Sequence, residues 1–238
     1  MSESKSKVKT KEKTKRILFD IAHGELIQIT SEQYADFKEF LLENNFEIWQ
    51  LSQRPITYEL IEEYDIFFIG APKQNKFDEE EIVEIFKYLR EGGALVLVSN
   101  AGGDQYNGTN LNTIADRLGF QFNGDFLAHE EDYEADDFYQ TVCKGVGMNP
   151  ISMGVRSVFT GACCTIKIVD PSGAKSLIFS HEPFPEVRHV AVHGYFELGR
   201  YFASSAPIFE FIKRHDNKFL LQSVFYWLSE SRGSDEII

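Results

Sequence analysis

The chain has 238 residues, 43% of them hydrophobic, with 37 acids against 24 bases and a formal charge of −13. That apolar content supports a packed core and excludes disorder as a whole-chain description, and the acidic balance excludes bulk nucleic-acid binding unless the bases gather on one face. They gather in part: residues 1–16 hold seven bases and two acids, which leaves 17 bases against 35 acids for the rest, a net of −18.

Residues 1–15 lack proline and aromatics and read as a disordered basic arm, with one domain expected over 16–238. The segment after the arm, ILFDIAHGELIQ, is broken by Asp20, His23 and Glu25 and is no signal-peptide core. No run approaches the roughly 20 apolar residues of a membrane span. The cysteines are Cys143, Cys163 and Cys164, an odd count with an adjacent pair. That argues against a disulfide framework and for a reducing, cytoplasmic setting.

In chain order, Arg16 to Ile21 reads as a buried strand. Ser31 to Asn45 reads as a helix with Tyr34, Phe37, Leu41 and Leu42 on one face, started by a Thr30/Gln33 capping box. Phe46 to Leu51 alternates as a second strand, Thr57 to Tyr64 makes a short helix, and Asp65 to Gly70 is a continuous apolar run expected of a central parallel strand. Asp78 and Glu81 form a capping box for a helix ending near Glu91, with Ile82, Val83, Phe86 and Leu89 as its apolar face and Gly92-Gly93 as its stop. Ala94 to Val98 is a fourth strand and Asn110 to Leu118 a further crossover helix closed by Gly119.

The second half is less regular. Glu130 to Asp137 carries six acids in eight residues and reads as a solvated loop. Ser152 to Phe159 and Cys164 to Val169 read as strands, and Asp170 to Gly173 turns into Lys175 to Ser180 as an antiparallel edge hairpin. Arg188 to His193 is one more strand and Asn217 to Leu228 an apolar terminal helix. The expected fold class is therefore α/β: an open, mostly parallel, Rossmann- or flavodoxin-like sheet with an antiparallel edge hairpin.

In such sheets a ligand sits outside the carboxyl ends of the strands. For a 2-1-3-4 strand order those ends are Asp20 to Gly24, Gly70 to Pro72 and Ser99 to Asp104. Asp20 and His23 stand three apart before Gly24, a pair suited to orienting a base, holding a metal or fixing the loop by a hydrogen bond. The SNAGGD segment offers two glycines for an anion cradle or a tight turn with positive φ. Neither a dinucleotide G-x-G-x-x-G nor a phosphate-loop motif is present, so no cofactor is expected. A hydrolase on this sheet places its nucleophile on a G-x-[SC]-x-G elbow. Ser99 lacks the flanking glycines and no cysteine stands there, so the cysteines read as small core residues. His181-Glu182 and His193 could complete a triad or a metal set with His23, but His189 and His193 lie on a predicted strand roughly 13 Å apart, too far to share a metal, and such scattered histidines read as structural; no metal site is expected.

The series ILFDIAHGE, FEIWQLS, YLREGGALVLVSNAGGD, NLNTIADRLGF and DNKFLLQSVFYWL resembles the GIFT domain family. That domain is shared by the amino-terminal part of intraflagellar transport protein 52 and gliding-motility ABC-transporter accessory proteins. The resemblance covers roughly residues 16–230. It implies a class I glutamine-amidotransferase-like sheet that has lost its nucleophile and serves binding or assembly, here as a stand-alone version. Its sugar-binding suggestion maps to Asp20, His23, Asn100 and Asp104, with Gly24 beside them.

Three functional readings compete, in order of preference. The first is a non-catalytic interaction domain for a protein partner, motivated by 21 phenylalanines that need not all fit inside. The second is a module for a carbohydrate or small polar ligand in a crevice at Asp20 and His23. The third is a hydrolase or amidotransferase using that pair. With so acidic a domain, any charged partner is expected to be basic.

Overall fold

The computed structural model describes residues 14–127, 141–180 and 187–230. Its strands are β1 (Lys15–Asp20), β2 (Phe46–Leu51), β3 (Ile66–Gly70), β4 (Ala94–Val98), β5 (Phe120–Phe122), β6 (Thr141–Cys143), β7 (Gly145–Val146), β8 (Val158–Gly161), β9 (Ile166–Ile168), β10 (Ala174–Ser180), β11 (Arg188–Phe196) and β12 (Gly199–Ser204). Its α-helices are α1 (Ala35–Glu43), α2 (Tyr58–Ile61), α3 (Glu79–Arg90), α4 (Gly103–Asn107), α5 (Asn112–Ala115) and α6 (Asn217–Ser229).

The main sheet runs β2-β1-β3-β4-β12-β11-β10-β7, with β9 pairing β11 and β5 off that path. Strands β2, β1, β3, β4 and β12 are mutually parallel; from β11 onward the pairing is antiparallel. The 2-1-3-4 order and the α/β class expected from the sequence are both present. Period-two alternation divides the core between the two faces of the sheet. On β4, Val96 and Val98 join Phe19, Phe68 and Phe202 under α1 and α6, while Leu95 and Leu97 join Phe67 and Tyr201 under α3 and α5. A helix layer on each face is why β3 and β4 read as unbroken apolar runs: every residue of both is buried.

Several expectations are corrected. The first helix opens with a 3-10 turn at Glu32–Tyr34, and Ser31 caps it without a side-chain hydrogen bond, so the Thr30/Gln33 box does not form. Phe40 faces the core in place of Leu42, which is 56% exposed. On α3, Ile85 takes the place given to Val83. Both slips come from choosing adjacent apolar residues on a 100° wheel, where packing selects one. Residues 150–152 form a 3-10 turn capped by Asn149, leaving strand only over Val158–Gly161, which pairs β6 in a separate small sheet.

The expected hairpin between 164–169 and 175–180 does not pair with itself. β10 pairs β11 and β7, and β9 pairs β5. The tight hairpin is β11–β12, and β12, absent from the sequence reading, fills the slot between β11 and β4. Fourteen of the 21 phenylalanines are buried, so the aromatic count does not itself create an exposed patch. The acidic run Glu130–Asp137, the His181-Glu182 pair and residues 1–13 of the basic arm lie outside the described residues.

Candidate functional site

Strand β1 delivers Asp20 to the carboxyl edge of the sheet, and the chain turns back at Gly24, whose φ of +72° favours glycine. A Cβ there would meet the Gln74 side chain at 2.6 Å. The returning segment lies on the end of β3, with the Leu26 and Ile27 amides donating to the Ala71 and Gly70 carbonyls at 3.0 and 3.1 Å. The 74–75 loop closes over it, both amides donating to the His23 carbonyl.

This folding-back shuts Asp20, His23 and Glu25 inside, together with Glu81 from the first turn of α3. His23 has zero exposure, and Phe77 stacks on its ring at 3.9 Å between centroids. Nδ1 of His23 lies 2.7 Å from Oδ2 of Asp20, and Nε2 lies 3.3 Å from Oε2 of Glu81. The other Asp20 oxygen accepts from the Ala22 amide at 2.9 Å.

Glu81 is saturated with donors. Nε and Nη2 of Arg54 reach its two oxygens at 3.2 and 3.0 Å, and the Ile56 and Asp78 amides donate at 3.0 and 2.9 Å. Burial pulls its pKa upward, but Arg54 and the two amides override that and hold it at about 2. Glu25 is the opposite case. Neither of its oxygens has a hydrogen-bond partner among the described residues, and burial, reinforced by the neighbouring Asp20 carboxylate, pushes its pKa up to about 9.

The end of β4 is built differently. Gly102 and Gly103 have φ of +80° and +53°, the tight turn that the sequence allowed. Asn100 bends onto its own loop, Oδ1 accepting from the Ala101 amide at 2.8 Å. Asp104, within α4, reaches the start of α5: its carboxylate accepts from the Leu111 and Asn112 amides at 2.9 and 2.8 Å and from the Thr109 hydroxyl. A crevice of about 160 Å³ lies beside this turn, lined by Leu26, Tyr34, Ala71, Ser99, Asn100 and Glu210. Small-molecule sites usually enclose roughly 300–1,000 Å³.

Of the five residues singled out from sequence, Asp20 and His23 therefore share one closed cluster, with Gly24 at its turn. Asn100 faces the separate small crevice, and Asp104 serves a helix cap. The sequence reading missed Arg54, Glu81 and Glu25 as cluster members. Glu25 was legible as the third polar residue of D-x-x-H-x-E, whereas Glu81 carried only its helix-capping signal. Burial raises the Cys163 thiol well above its ordinary value and the Cys164 thiol to about 12, which disfavours a thiolate at either position.

A second, wider concavity lies beside α3. It is an open groove of about 460 Å³ between α2 and α3, lined by Pro55, Thr57, Glu59, Glu79, Glu80, Val83, Glu84 and Lys87. Arg54 and the Ile56 amide, both held by Glu81, fix its 54–57 wall to α3. The Tyr58 amide donates to Glu84 at 3.0 Å, Lys87 sits over the Tyr58 ring at 4.3 Å, and Arg117 pairs with Glu79.

Comparison with known proteins places this architecture. The family model described as the IFT52 GIFT domain matches residues 16–145. A solved structure of the mmIFT52 N-terminal domain is 20% identical, covers 94% of this chain and 99% of its own, and superposes with a TM-score of 0.79. A ThuA-like protein from Bacteroides uniformis is 15% identical over 98% of both chains, with a TM-score of 0.60. A cold-adapted β-galactosidase from Rahnella sp. R3 is 14% identical over 93% of this chain and 32% of its own, with a TM-score of 0.58. At these identities the structures share the fold. No curated protein matches the chain.

Proposed function

The chain belongs to the IFT52 GIFT domain family, and from that premise we propose that it is a non-catalytic binding domain that receives a basic segment of a protein partner in the groove between α2 and α3. The observation that carries this reading is the groove itself: four glutamates and one lysine around Val83, which is 44% exposed. A peptide bearing lysine or arginine meets complementary charge at the rim and apolar contact in the middle. The opposite end of the site supports the non-catalytic part, because His23 is enclosed by carboxylates and Phe77. No helix among the described residues is long and apolar enough to cross a membrane. Cys143, Cys163 and Cys164 are buried thiols outside any disulfide, which suits a reducing cytoplasm.

The test is affinity capture from the source organism with the full chain and with a Glu80→Lys/Glu84→Lys variant, at low and high salt. A partner held through a basic segment is lost from the variant and weakened by salt, as screening of exposed charge requires. Capture indifferent to both changes overturns the groove as the contact. Turnover of an amide or glycoside substrate by the pure protein overturns the non-catalytic reading.

A further inference from the structure

The cluster at the end of β1 is assembled as a coordination site. Oδ2 of Asp20, Nδ1 of His23 and a Glu25 carboxylate oxygen all lie within 4.8 Å of one another, from three buried residues on one six-residue loop. Nδ1 of His23 is 2.7 Å from Oδ2 of Asp20 and 3.9 Å from Oε1 of Glu25. Ligands bound at about 2.0 Å to a tetrahedral ion stand about 3.3 Å apart, and the two distances from Nδ1 of His23 bracket that spacing. We propose that Asp20, His23 and Glu25 bind one divalent transition-metal ion, zinc fitting best, with Glu81 as the residue that orients His23.

Two independent features point the same way. Arg54 and two backbone amides donate to Glu81, whose Oε2 also stands 3.3 Å from Nε2 of His23; with the ring hydrogen on Nε2, the lone pair of Nδ1 faces Asp20 and Glu25 and is available to an ion. A carboxylate behind a ligating histidine is the usual support of such a metal. On the other side, Glu25 is buried with both oxygens unpartnered among the described residues. A buried carboxylate in that position needs either a proton or a cation. Once Glu25 gives up its proton, three carboxylates face one guanidinium and one imidazole, a negative excess that a dication balances. Two carboxylates and an imidazole suit zinc, whereas magnesium prefers all-oxygen, partly hydrated sites. Where Glu25 holds a proton, the ion displaces it and the proton leaves to solvent.

The full chain, stripped with chelator, is titrated with zinc against a chromophoric competitor. The expected result is one ion per chain, a raised melting temperature and proton release on binding. Glu25→Gln, which keeps the shape, is expected to bind roughly 100-fold or more weakly, without loss of melting temperature in chelator. Cobalt in the wild-type protein reads the site without any variant: tetrahedral visible bands lacking thiolate charge transfer are expected. Absence of stoichiometric uptake, equal binding by Glu25→Gln, or a thiolate cobalt spectrum overturns the assignment.

Discussion

Glu81 and Glu25 occupy the two ends of one buried cluster, and they could hardly differ more. Glu81 accepts from Arg54, two backbone amides and His23, and is held ionised with a pKa near 2. Glu25 sits beside a second carboxylate with no hydrogen-bond partner among the described residues, and its pKa rises to about 9. Both side chains are fully buried. Burial therefore does not fix the charge of a carboxyl group; the donors that accompany it do.

The most severe break of that contrast is Glu81→Ala. It strips the acceptor from Arg54, the Ile56 and Asp78 amides and the imidazole together. Removing one partner from a buried, hydrogen-bonded ion pair costs about 3–5 kcal/mol, and urea unfolding should show a loss of that order. Glu25→Gln should cost nothing in the metal-free protein. Equal losses for the two variants would erase the distinction between the ends.

The pH response of the metal-free protein sets the two glutamates against each other directly. Glu81 has a folded pKa near 2 against 4.5 unfolded, so its contribution is present above 4.5 and is lost as pH falls through 2. Glu25 has a folded pKa near 9, so the folded state binds the extra proton and stability declines as pH rises from 4.5 toward 9. The slope is at most about 1.4 kcal/mol per pH unit for one proton. Denaturation of wild type and Glu25→Gln across this window isolates it: the variant's advantage should widen up to pH 9 and then level. Parallel profiles would mean that Glu25 is ionised in the fold.

A smaller effect sharpens the division between the cluster and the β4 end. Asp104→Ala should cost about 1–2 kcal/mol, the usual value of a lost helix cap, because its carboxylate serves the Leu111 and Asn112 amides. Metal binding at Asp20 should be unchanged. A loss of binding would tie the two ends of the sheet into one site.

The same contrast marks what the sequence disclosed. Strands β3 and β4 were legible because burial on both faces writes itself as continuous apolar letters, β2 by its alternation, and the Asp78/Glu81 box because a cap is local. Asp20 and His23 were visible as a pair three residues apart. Glu81 was not visible as their neighbour, since 58 residues separate it from His23 and only the crossover topology brings α3 there. Strand β12 escaped for a related reason. Its Arg200 reads as a surface residue, yet it is buried by donating to the Trp227 and Glu230 carbonyls, and its partner β4 lies about a hundred residues away.

The smallest effect concerns a third setting for glutamate, one residue from Glu81. Glu80 shares the first turn of α3 but faces the open groove, where water solvates it and no buried donor depends on it. Glu80→Lys should therefore change folding stability by no more than about 0.5 kcal/mol, in either direction, as exposed substitutions do. Part of that comes from placing a cation at a helix start, where the dipole disfavours it by a few tenths. Its effect on a basic partner should be far larger than its effect on the fold, through the association rate and with strong dependence on salt. A stability loss approaching that of Glu81→Ala would show that the outer glutamates also hold α3 in place, and the groove would then be a by-product of the fold rather than a surface available to a partner.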